Sequence, residues 1–246
     1  MTPKLVLSGT PEGLKSSMAL KVTIICPQRE PAKIDDVPSS DVRIRRAVIS
    51  YVCSDEATSF GIHAFQVIAT ALYAGVSLTL AAPPTTGSDS KPLVLTFDDN
   101  LHITTSNAMM RLIAAMAPAS DLLGDSDEAN AFIDGWLNFV WNSIDVPLQV
   151  LSQDASVASV KDDVAASLQT LEEHLAKHEN QPYLVGRKVS VGDISLAVTL
   201  SRATSLGVFN VETTDAKTLA HWFSTITTMP FFIKAQQTST TAGTVI

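Results

Sequence analysis

The chain has 246 residues, 46% of them hydrophobic, enough for one large domain or two smaller ones with full cores. Its net charge is −8, and binding to nucleic-acid phosphate or an anionic membrane needs a clustered basic surface, so both roles are excluded as general properties. The one short basic run, Arg43–Arg46, reads as the solvated end of a linker. Cys26 and Cys53 have neither C-x-x-C nor zinc-ligand spacing, so a redox pair or structural metal is not expected and a reducing, cytoplasmic setting fits. The opening MTPKLVLSGTPEG does not read as a secretory signal, and no apolar run approaches the roughly 20 residues that span a bilayer.

In chain order, ALKVTIIC (19–26) is β-branched enough for one strand, which either adds to a sheet or marks a separate arm. Residues 27–46 are rich in Pro and charge without an apolar period and read as an extended linker. AVISYVC (47–53) follows as a buried strand, GIHAFQVIATALYAG (61–75) as a helix closed by Gly75, and VSLTLAA as a second strand. Strand, helix, strand at this length predicts a parallel crossover. LVLTF and LHITT flank Asp98, Asp99 and Asn100 as a hairpin, and SNAMMRLIAAMA opens a helix capped by Thr105 or Ser106. The order is β-α-β-β-β-α.

From Ser126 onward only helices are predicted. An acidic first turn suits the helix dipole, and Phe132, Trp136, Phe139 and Val140 recur at helical spacing before Pro147, which should kink or end the helix. Val157, Val160, Val164, Leu168, Leu171 and Leu175 form one apolar stripe. YLVGRKVSVGDISLAV then raises the clearest local signal, a Ser190-x-x-Asp193 capping box behind the turn at Gly186. The helix it starts is apolar nearly all round and should be the central buried one, so that loss of Asp193 is expected to cost about 1–2 kcal/mol. Two further helices and a polar tail complete the chain.

This layout, with YLVGRKVSVGDISLA on the central helix of the second half, resembles the glutathione transferase fold. The resemblance implies α/β plus all-α architecture: residues 1–45 an arm and linker, 46–120 a thioredoxin-like domain, 121–237 the all-helical transferase C-terminal-like domain, and 238–246 a disordered tail. HAFQVIATALYAG with VSLTLAAPP, FIDGWLNFVWNSIDVPL and HWFSTITTMPFFIKA look similar to the transferase-like domain of the gamma subunit of translation elongation factor 1B. They are similar also to such domains in aminoacyl-tRNA synthetase complexes.

What the resemblance implies for a site is specific. Transferases need a hydroxyl or thiol near the end of the first strand to lower the pKa of glutathione's thiol, and Tyr51, Cys53 and Ser54 are the candidates there. Tyr51 and Cys53 read equally as strand core and Ser54 as a turn cap. The family's cis-Pro position falls on Pro92, preceded by Lys91, whose place bonds the glutathione backbone. The pair that holds the γ-glutamyl end falls on Thr105 and Ser106, but Thr105 stands where an acidic or amide residue is expected and cannot pair with the ligand's ammonium.

The function that follows is a non-catalytic assembly module of the translation machinery, acting through protein–protein binding to elongation-factor or aminoacyl-tRNA synthetase subunits or other transferase-like domains. It has no resident cofactor and no direct contact with nucleic acid or membrane. The alternative is an active glutathione transferase, a homodimer with glutathione as co-substrate. His174 and His178, four apart, lack a third ligand and read as an exposed surface pair rather than a metal site. Trp136, Trp141 and Trp222 read as core or interface.

Overall fold

The computed structural model describes residues 18–25, 46–53, 59–76, 78–81, 93–97, 101–154, 157–178 and 180–241. Ser54, Lys91, Pro92, the hairpin turn at 98–100 and most of the expected linker and tail lie outside these residues.

Five strands form one sheet: β1 (Met18–Ile25), β2 (Arg46–Cys53), β3 (Thr79–Ala81), β4 (Leu93–Phe97) and β5 (Leu101–Ile103), in spatial order β1-β3-β2-β4-β5. β2 and β3 run parallel, with Val48 opposite Thr79, and α1 (Ser59–Ala74) connects them as the expected crossover. β4 lies antiparallel on the other side of β2, and β5 folds back on β4 with Leu95 opposite Ile103. The segment left open by its sequence is thereby placed: β1 pairs antiparallel along its full length with β2, Met18 opposite Cys53 and Ile25 opposite Arg46, and also meets β3.

α1 touches β2 and β4, packs mainly on the helices, and ends at Gly75, whose φ of 68° is the left-handed conformation that a helix terminus of this kind requires. α2 (Ser106–Met116) lies beside α1 and buries Met109, Met110 and Ile113. After a short 3-10 turn at Pro118–Ser120, α3 (Asp127–Val140) begins with Ser126 accepting the Ala129 N–H at 3.1 Å, a true N-cap.

Of the kink or stop expected at Pro147, the stop does not occur. The helix passes through a π-turn, Trp141–Asp145, and continues as α4 (Val146–Gln153) with Pro147 in its first turn. A proline has no N–H for the carbonyl four residues earlier and its ring crowds that carbonyl, so the wider turn accommodates it. The Ser143 oxygen, left without that amide, accepts instead from the Ser167 hydroxyl at 3.1 Å.

Ser167 belongs to α5 (Ala158–Lys177), whose Val164, Leu168, Leu171 and Leu175 are all buried, as their spacing predicts. α6 (Val191–Ser205) is the central helix, buried over most of its length, with α3 on one side and α1 on another. α7 (Lys217–Thr227) packs on α5, and α8 (Pro230–Thr241) packs on α1, carrying Phe232 against Phe65 at 4.9 Å between ring centres. α8 continues past 238, where a polar tail is expected from composition. Among the described residues no helix is long and apolar enough to cross a membrane.

Candidate functional site

β2 ends at Cys53 and α1 begins at Ser59, so Tyr51 and Cys53 sit on the last residues of the strand that feeds α1; their side chains are not described. Thr105 and Ser106 stand at the start of α2. Thr105 occupies the N-cap position, with extended backbone, but its side chain makes no capping bond. Ser106 is not a cap either: it is the first helical residue, 4% exposed, and its hydroxyl points across to α1, 3.3 Å from His63 Nδ1.

His63 is the hub of a buried polar cluster that no sequence motif announced. Its Nδ1 also lies 3.2 Å from Gln66 Oε1, and its Nε2 lies 3.6 Å from Asp145 Oδ2. The second distance suits an ion pair with a protonated ring but is too long for a hydrogen bond. With Gln66 in this orientation Nδ1 carries the hydrogen, donating to Oε1 and sharing it with Ser106, while Gln66 Nε2 donates to Ser195 Oγ at 3.2 Å. Asp145 accepts from Arg202 Nη1 at 3.2 Å, and Arg202 Nη2 donates to Ser152 at 3.1 Å. Both members of this ion pair are almost wholly buried, and Arg202 Nε is left without a partner. Trp141 closes the outer side, its ring 5.2 Å from that of His63 and 38% exposed.

The cluster is therefore a seam between the two halves of the fold. α1 and α2 supply His63, Gln66 and Ser106, the π-turn supplies Asp145, and α6 supplies Ser195, Thr199 and Arg202. Burying an ion pair costs desolvation, which is repaid only when the remaining polar atoms are bonded. Ser152 does so for Arg202 Nη2, while Gln66 and Ser195 satisfy each other beside the pair. The signal that could have revealed the seam is the spacing of Ser195, Thr199 and Arg202, which puts three polar residues on one stripe of an otherwise apolar helix. Asp145 faces inward on the π-turn, a local geometry that composition does not announce.

The capping box is present with both reciprocal bonds, and it reaches further than two residues. Ser190 N–H and hydroxyl donate to Asp193 Oδ2 at 2.9 and 2.6 Å, while Leu184 N–H and the Trp222 indole N–H donate to Oδ1 at 2.9 and 3.3 Å. Burial pushes the Asp193 carboxyl above its ordinary value, and these four donors pull against it.

His174 and His178 are not the exposed pair expected. Both are half-buried, their rings 4.6 Å apart, and His174 Nε2 donates to the Leu184 carbonyl at 2.9 Å while its ring lies 4.5 Å from Trp136. Burial lowers the His174 pKa more than the Leu184 bond raises it, and that bond ties α5 to the segment before α6. Among the described residues no group of three His, Cys, Asp or Glu side chains is placed to hold a metal. Of the tryptophans, Trp222 is buried, Trp136 half-buried and Trp141 the most exposed.

Comparison with known proteins agrees with this architecture. Residues 122–230 match the family described as "Glutathione S-transferase, C-terminal domain". The chain is similar in structure to BphK, a bacterial GST, at 18% identity and a TM-score of 0.63, over 73% of this chain and 96% of that one. It is similar also to the glutathione-S-transferase from Xylella fastidiosa, at 21% identity and 0.62 over 73% and 95%. Ure2p5 from Phanerochaete chrysosporium gives 16% and 0.64 over 75% and 93%. No curated protein matches the chain by sequence. The helical half thus resembles the glutathione S-transferase C-terminal domain over residues 122–230, and about three quarters of the chain has the fold of glutathione transferases.

Proposed function

We propose that the chain is a non-catalytic assembly module of the translation machinery, a transferase fold used as a binding surface. In this reading residues 46–120 are a thioredoxin-like half, 121–237 the transferase-like helical half, and 1–45 an added arm. One observation carries it: Ser106, where a transferase offers a hydroxyl to the γ-glutamyl end of glutathione, is buried and turned to His63, and Thr105 supplies no carboxylate beside it. To serve a ligand the hydroxyl must leave its buried contact with His63, which weakens binding by about the value of that bond. The partners, elongation-factor or aminoacyl-tRNA synthetase subunits, are inferred from the likeness of FIDGWLNFVWNSIDVPL and HWFSTITTMPFFIKA to the corresponding domains.

The second reading is an active glutathione transferase. It is favoured by Tyr51 and Cys53 at the end of β2, and by the likeness to Ure2p5, which was crystallised with 1-(S-glutathionyl)-2,4-dinitrobenzene. Glutathione-affinity retention, a conjugation assay with a model electrophile and a thermal shift separate the two. Stabilisation by a ligand grows as RT ln(1 + [L]/Kd), so millimolar glutathione should hardly move the melting temperature of an assembly module. A rise of several degrees with turnover would decide for the enzyme. Recovery of translation subunits by affinity purification from the native cell would decide for the module.

A further inference from the structure

α3 has an outer face that the chain itself leaves uncovered. At 3.6 residues per turn Glu128, Phe132, Gly135 and Phe139 fall on one stripe, with Trp136 at its margin. Phe132 is 65% exposed, the largest exposure of any large apolar side chain among the described residues. Trp136 and Phe139, half-buried and in edge-to-face contact at 5.5 Å, continue the apolar ridge toward α5.

Gly135 sits in the middle of this stripe. A glycine inside a helix is destabilising relative to alanine, and no conformational need explains it here, since its φ is not positive. Packing within the chain does not explain it either: a Cβ at Gly135 would meet no atom within 4 Å. The result is a notch flanked by aromatic rings, open to the backbone of an incoming element.

The charge that α3 itself carries around the notch is acidic. α3 carries Asp127, Glu128 and Asp134 and no Lys or Arg, and Asp125 and Asp127 are exposed at its start. Of the cations beside it, Arg111 on α2 is taken by Asp134 and Asn130, and Lys188, paired with Asp121, also acts on Asp125. A second copy would bring the same acidic turn and no basic residue on α3 to meet it.

We infer that the outer face of α3 is a docking surface for a basic amphipathic helix of another protein, whose small apolar residues enter the Gly135 notch against Phe132 while its Lys or Arg side chains meet Asp125, Asp127 and Glu128. This names the partner chemistry of the assembly reading and rests on it. An apolar anchor inside a charged rim is how such interfaces divide affinity from specificity.

The test uses the full chain and a fluorescent 18-residue helical peptide with Ala and Leu on one face and Lys on its flanks, beside a twin in which Glu replaces Lys. The Lys peptide should bind, and the Glu twin at least tenfold more weakly. Phe132→Ser and Gly135→Gln should each weaken the Lys peptide at least tenfold. Gly135→Gln fills open space with a good helix former, so its melting temperature should hold or rise, and loss of binding there is not loss of fold. Equal binding of the two peptides, or binding untouched by both substitutions, overturns the inference. So does a dimer by light scattering that Phe132→Ser turns into a monomer, or peptide binding that appears only after residues 1–45 are deleted. Recovery of translation subunits that survives Phe132→Ser removes this surface and leaves the assembly reading in place; recovery lost with Phe132→Ser and Gly135→Gln in folded protein supports both.

Discussion

Replacing Asp193 with Ala tests the capping box as the structure draws it. The side chain is fully buried and accepts four hydrogen bonds, two from Ser190, one from Leu184 N–H and one from the Trp222 indole. A buried donor left unpaired costs about 1–3 kcal/mol. Four such donors at the low end give about 4 kcal/mol, and relief from burying a carboxyl group returns part of it, so the net loss is about 3 kcal/mol. That exceeds the 1–2 kcal/mol of an ordinary cap. In a chain of this size each kcal/mol moves the melting temperature by about 2–4 °C, so the variant should melt about 6–12 °C lower. Urea unfolding at pH 7, followed by Trp fluorescence and circular dichroism, gives the difference as a midpoint shift at constant slope. Ser190→Ala is the control: it keeps the Leu184 and Trp222 bonds and should lose only about 1 kcal/mol. If the two variants lose the same amount, the reach of Asp193 to Leu184 and Trp222 contributes nothing and the reasoning fails.

Glu172 on α5 accepts from Thr218 and Leu219 N–H at 3.0 and 2.7 Å and so caps α7 from a neighbouring helix. Burial raises its pKa, but these hydrogen bonds take it below the ordinary 4.5. A depressed carboxyl stabilises above the unfolded value and loses that contribution as pH falls through the folded one. Wild type should therefore exceed Glu172→Gln by about 1 kcal/mol at neutral pH, with the gap closing below pH 4.5; a constant gap down to pH 3 would contradict this. Arg202→Leu leaves Asp145 buried without its partner and should cost about 3–5 kcal/mol, while Arg202→Leu with Asp145→Leu recovers much of it; strict additivity in that cycle refutes the pairing. Gly135→Ala, in open space inside α3, should raise stability by about 0.5–1 kcal/mol, and a fall in melting temperature would show that the notch is filled from within the chain.

The parts legible in the sequence are those that local spacing determines. Ser190-x-x-Asp193 marks a helix start because its two side chains bond amides within one turn, and the stripe from Val164 to Leu175 needs only helical period to predict its buried face. The Trp222 and Leu184 bonds to the same carboxylate come from 29 and 9 residues away and leave no local trace. The seam of His63, Asp145 and Arg202 was hidden for the same reason, since its members lie on α1, the π-turn and α6. His63 alone looks like any polar residue in a helix. The π-turn was hidden differently: Pro147 announces a disturbance but not its form, because a kink, a stop and an extra residue all relieve the same clash. Fold class survives such gaps because hydrophobic pattern sets it, and a site does not, because it is made of single residues from several elements.

The bond from Ser167 to the Ser143 carbonyl makes two distant positions a single genetic unit. The Ser167 hydroxyl, which also reaches the Asp163 carbonyl of its own helix at 2.9 Å, can turn its one hydrogen to the Ser143 carbonyl in place of the amide hydrogen that Pro147 lacks. Ser167→Ala alone removes the side-chain donor to the Ser143 carbonyl, whereas after Pro147→Ala the same change should cost less, since the restored N–H can serve that carbonyl. Epistasis of this kind lets lineages drift through one order of substitutions and not the other.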